Sequence, residues 1–214
     1  MIAVREWKRR HQRSFDLRSI TDRAHKAIIQ EALNDCDYPF IRIRREHGVR
    51  VPVNVATLRY SGDYGAHSHS HGVHALEYPD NRAQALGLFW LPTSAHPVGR
   101  IEVAVGIMTD PDLAREVFLA EAAHAVDYGV MTDEQRQALF AIVHLGDSAA
   151  HGTHGWWEER GGNDYWSDWV AETFMALFMR AFAPDLPRPL EARQPWTHRV
   201  DDEMARQARA ALLE

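Results

Sequence analysis

At 214 residues, with 45% hydrophobic and 25% charged side chains, the chain is long enough to bury a core as a single domain and too apolar to be disordered throughout. Its formal charge of −6 supplies no general basic field, so nucleic acid is not an expected partner, although arginines (Arg9, Arg10, Arg13) gather near the N-terminus. The lone Cys36 excludes an internal disulfide framework and reads as a small buried hydrophobe rather than a nucleophile.

No stretch approaches the ~20 apolar residues of a membrane span, and no apolar run follows the basic residues after Met1. No membrane partner or export signal is therefore expected, and the expected location is cytoplasmic or within a larger assembly. Leu17, Ile20, Ala24, Ala27, Ile28 and Ala32 recur at helical steps over 16–35. With the basic residues before them they mark 1–37 as a basic helical arm of a single domain spanning 1–214. Between Tyr38 and Tyr60 the pattern alternates (Phe40, Ile41, Ile43, then Val49, Val51, Val53, Val55), which predicts a hairpin turning at His47 and Gly48. Residues 61–81, rich in Gly, Ser and His, read as a loop. A second strand pair is expected from Ala85 to Leu91 and from Arg100 to Ile107, joined by a turn-rich stretch from Pro92 to Gly99. Helices follow.

The first of these helices carries the chemistry. Asp110 can cap it, Pro111 suits its first turn, and Gly129 marks its expected end. Residues 118–128 read Phe-Leu-Ala-Glu-Ala-Ala-His-Ala-Val-Asp-Tyr. This is the zinc-protease helix pattern of two histidines bracketing a glutamate, with Ala120 in the first histidine's place. On a helix Ala120 and His124 stand one turn apart and Glu121 lies beside them. One imidazole can then bind a metal while the neighbouring carboxylate takes a proton from an activated water. Thr132 and Gln135 form a capping box for a helix to about Leu145. A loop with His151, Gly152, His154 and Trp156 to Trp157 follows, and a last long helix spans about 164–182. That helix holds Tyr165 and Glu172, two turns apart. A carboxylate on a second helix is a common third zinc ligand, and a tyrosine can donate a hydrogen bond to a developing oxyanion.

Together these motifs resemble the peptidase domain of anthrax lethal factor and its relatives, zinc metallopeptidases of the gluzincin type. The likeness runs over about 85–182. It rests on Ala120, Glu121, His124, Ala125, Val126 and Asp127, and on Tyr165, Glu172, Phe174 and Ala176. The resemblance implies an α+β zincin-like fold, with a small, mostly antiparallel sheet beside the signature helix and helices packed behind it. It implies one zinc ion held by His124 and Glu172, Glu121 as general base and Tyr165 as oxyanion stabiliser. It also implies a peptide or protein substrate, pairing with the strand at Ile101 to Ile107.

Ala120 has no donor atom, and catalytic zinc usually takes three protein ligands. The substitutes in the sequence are His154 or His151 in the loop between the two helices, with His154 preferred. The run His67, His69, His71 and His74 is a second source, its first three members sharing a side if the chain is extended. Asp127 is a further possibility, better suited to orienting a ligand. The two functional expectations are a zinc endopeptidase with a replacement ligand, and a silent peptidase-like module serving binding or assembly, for example in a virus particle.

Overall fold

The computed structural model describes residues 13–59, 68–73, 84–143, 165–189 and 200–214, with 68–73, 84, 143 and 165–172 traced as backbone. In chain order the elements are β1 (Phe15–Asp16), α1 (Arg23–Asp35), α2 (Ile41–His47), β2 (Val51–Ala56), β3 (Ser68–Val73), β4 (Gln84–Trp90) and β5 (Arg100–Ala104). A 3₁₀ turn (Val105–Ile107) leads into α3 (Pro111–Val130), α4 (Asp133–Val143), α5 (Tyr165–Phe182) and α6 (Asp202–Leu213). The class is α+β, as expected, and no described helix is long and apolar enough to cross a membrane.

The strands form one sheet in the order β1-β2-β5-β4-β3. β2 runs parallel to both β1 and β5, while β5 with β4 and β4 with β3 are antiparallel. The sheet is thus mixed rather than mostly antiparallel, because β2 does not return as a hairpin. Its expected partner at 40–43 is α2 instead. Phe40 and Ile43 are both wholly buried and three residues apart, which suits one helical face as well as alternation does. Gly48, in the left-handed conformation, ends that helix with its N–H on the Arg44 carbonyl. The His-rich stretch read as a loop contains β3, paired along its whole length with β4.

One face of the sheet is set by alternation. Val53, Ile101, Val103, Gly87 and Phe89 share register rows across β2, β5 and β4, and the four apolar side chains among them are buried. α3 lies against β4 and β5, with α1, α2 and α5 packed on α3 in turn. From Glu116 to Asp127 every residue of α3 is buried, so this helix is the centre of the domain rather than an amphipathic surface element. Its alanines, Ala120, Ala122, Ala123 and Ala125, are all buried and let neighbours come close.

Residues 13–37 belong to the same core. Phe15, Leu17, Ile29, Ala32 and Leu33 are buried in it. The aromatic rings form a chain of edge-on contacts, Phe118 to Phe15 (5.6 Å), Phe15 to Phe40 (5.0 Å), Phe40 to Tyr38 (5.3 Å) and Tyr38 to Phe182 (5.0 Å). That chain ties β1, α2 and α5 to the central helix. The helix ends follow the sequence. Asp22, Asp110 and Asp201 accept from backbone N–H groups of the first turns of α1, α3 and α6, and Thr132 and Gln135 exchange the two bonds of a capping box at α4.

Cys36 is wholly buried, and burial pushes its thiol up to about 12 from 9.0. Burial likewise moves the Tyr38 phenol up to about 12 from 10.0. Both groups therefore stay neutral in the folded state at pH values where the unfolded chain ionises, so their contribution is intact below about pH 9 and is lost as pH rises toward about 12. The urea midpoint should hold steady from neutral pH to about pH 8.5 and fall progressively above about 9. The native thiol should resist a disulfide reagent that titrates it fully in urea. A midpoint that rises above pH 9, or a thiol that reacts in the native protein, would contradict this packing.

Candidate metal centre on the central helix

Glu121 and His124 sit in the middle of α3, 0% and 1% exposed. The two face β4, and the strand is shaped to receive them. A Cβ at Gly87 would lie 2.4 Å from Glu121 Oε1 and 2.5 Å from Val117 Cγ1, so the strand backbone lies directly against these two side chains and a larger residue would force them to shift. Two residues along, the Phe89 ring stacks on the His124 imidazole, with centroids 5.7 Å apart and planes 23° apart. Phe89 also stacks on Tyr128, one turn further down the helix, at 5.7 Å. Gly99, at φ 69°, turns the chain into β5, and a Cβ there would stand 2.4 Å from the Phe89 ring. Two glycines thus fix the position of the ring that holds the imidazole.

Burial of a carboxylate and an imidazole together is costly unless each is paired, hydrogen-bonded or ligating a cation. Their separation of three residues puts them on adjoining positions of one helical face. Ala120, 1% exposed, occupies the preceding position in the same packed layer.

Asp127 is held by the neighbouring helix α4. Arg136 of α4 donates from Nε to Asp127 Oδ1 at 2.7 Å, and from its other nitrogens to the Asp127 main-chain oxygen and to Asp133 Oδ1 (2.8 Å). Both side chains of the Asp127 pair are buried, 3% and 6% exposed. This ion pair clamps α4 onto the last turns of α3, three residues beyond His124.

Tyr165 and Glu172 lie on α5, which packs against α3. The structure therefore brings the two motif-bearing helices together. His151 and His154, with His67 and His74, lie outside the described residues. His69 and His71 are on β3. Among the described residues no group of three or more His, Cys, Asp or Glu side chains gathers as a metal site. The strand expected to pair with an extended substrate, β5, has both edges occupied, by β2 and β4, so that role is corrected. β3 is the outer strand on that side of the sheet.

Gly87, Phe89 and Arg136 shape this region without having been singled out in the sequence. The signal for Gly87 was available, since a glycine within the apolar run Ala85 to Trp90 marks a close backbone approach. Arg136 stands nine residues from Asp127 on another helix, and nothing in the sequence pairs them.

No family model, curated protein or solved structure matches the chain.

Gly87→Ala should destabilise the fold by about 1–3 kcal/mol, the usual cost of overpacking a tight contact, and chemical unfolding would show it; unchanged stability would mean that β4 and α3 separate freely. Arg136→Ala strands a buried carboxylate and should cost about 3–5 kcal/mol. A loss under about 1 kcal/mol, the range of surface pairs, would show that Asp127 is solvated in the native state.

Proposed function

We propose that this chain is a zinc-dependent endopeptidase, similar to the lethal factor-like gluzincins, built on an Ala-Glu-x-x-His helix in a zincin-like fold. The observation that carries this reading is the joint burial of Glu121 and His124 on one face of α3, against the glycine and phenylalanine of β4. The donor chemistry fits zinc, which takes imidazole nitrogen and carboxylate oxygen.

His124 on α3 and Glu172 on α5 would hold the ion, with a further donor in place of the one Ala120 lacks. When bound, zinc supplies Lewis acidity toward a scissile carbonyl and lowers the pKa of a water in the site. Glu121 takes a proton from the attacking water and passes it to the departing amine, a role that suits a carboxylate shielded from bulk solvent. Tyr165 donates a hydrogen bond to the oxyanion of the tetrahedral intermediate. Phe89 holds the His124 ring in one orientation and keeps water from its flank. The substrate strand would align along β3, the outer strand, in place of β5.

A second reading has its own support. Ala120 is packed in the core, and a helix without the first histidine suits a catalytically silent module that binds a protein partner within a larger assembly.

The two readings part on metal content. The enzyme reading expects about one zinc per chain by mass spectrometry, as for a catalytic site of this type, with binding lost in His124→Ala and in Glu172→Ala. Glu121→Gln should keep the zinc and lower peptide cleavage by about 10²–10⁴-fold, the range for a general base. A folded protein that takes up no zinc would leave the silent module; cleavage that survives Glu121→Gln would remove Glu121 from its role.

A further inference from the structure

β4 acts as a ruler between α3 and β3. On its helix side, Gly87 meets Glu121, and Phe89 stacks on His124. On its other edge, antiparallel pairing sets His71 opposite Gly87 and His69 opposite Phe89. Residues directly opposite each other in an antiparallel pair share a face of the sheet. The register positions of His69 and His71 are therefore on the face that carries α3, one strand spacing of about 4.8 Å beyond β4. β3 and α3 also approach each other directly. The serines of the stretch, Ser68 and Ser70, hold the alternate positions.

The levels match along the strand as well. His71 is in the row of Gly87, the row that meets Glu121 and Val117 of α3; Ala120, where the zinc-protease pattern has a histidine that this chain lacks, precedes Glu121 in the helix. The register of β3 breaks between His71 and Gly72. Irregularities of this kind occur beside active sites, where they re-aim a residue and end the regular pairing. At position 87 the strand itself contributes no side chain to the row, and Glu121 of the helix reaches the strand there.

We propose that β3 supplies the donor that Ala120 lacks, through the juxtaposition of His71 with the Glu121 and His124 face of α3 across Gly87. The zinc site would then be assembled from an edge strand, the central helix and α5, rather than from two helices alone. An edge strand in this role couples metal binding to the strand along which a substrate would align. It also gives the alternation of histidine with serine a use that a solvated loop would not need. This assignment presupposes the zinc site proposed above and replaces His154 as its third protein ligand.

The test uses the full chain with zinc alone as the probe. Zinc affinity is measured by chelator competition, and the geometry by the visible spectrum of the cobalt-substituted protein, with circular dichroism and the urea midpoint as controls for folding. His71→Ala should weaken zinc by at least ~100-fold, beyond what loss of a neighbouring supporting group gives, and alter the cobalt spectrum. His71→Cys, which keeps a donor, should retain most of the affinity. His69→Ala should have the smaller effect. Wild-type affinity in His71→Ala, with the loss appearing in His154→Ala or His69→Ala, overturns this assignment and leaves the zinc reading standing. A folded wild-type protein that binds no zinc overturns both.

Discussion

The approach of β4 to α3 at Gly87 is the constraint on which the arrangement depends. A helix with residues as small as Ala120, Ala122, Ala123 and Ala125 can be surrounded closely on every side, and a strand lacking a side chain at one position can come down on it from the sheet. The Glu121 carboxylate fills the space that a Cβ would take, and the next inward residue, Phe89, stacks on His124. The sheet therefore fixes the two polar groups as firmly as the helix does. Buried polar groups held by rigid elements are preorganised, which a site that stabilises developing charge requires.

The rest of the domain supports that contact from behind. The aromatic chain from Phe118 to Phe182 joins the central helix to β1, α2 and α5. The Arg136 clamp on Asp127 fixes the helix end next to the imidazole. Both devices limit how far α3 can shift, so the precision of the centre is a property of the packing around it.

Much of α3 and its surroundings was legible in sequence because the determinants are local. Asp110 and Pro111 start the helix, Thr132 and Gln135 start the next, and the run from Ala85 to Trp90 with Arg100 onward gives the antiparallel pair. The errors fell where one pattern serves two structures. Phe40 and Ile43 satisfy a short helix as well as a strand, and the alternation of serine with histidine at 68–71, polar on both sides, looks solvated until β4 is placed next to it. Long-range facts had no local signature. The parallel crossover of β2 onto β5, the pairing of Arg136 with Asp127 and the row shared by His71 and Gly87 each join residues whose relation exists only in the folded chain.

The central claim is that α3, α5 and β3 converge on one zinc ion. Anomalous diffraction at the zinc absorption edge, from crystals of the zinc-loaded full chain, tests it most directly. The account predicts a single peak about 2.0–2.2 Å from a nitrogen of His124 and a carboxylate oxygen of Glu172, the usual zinc bond lengths, with a further nitrogen contributed by β3. A peak remote from His124, or none in a fully folded protein, would contradict it.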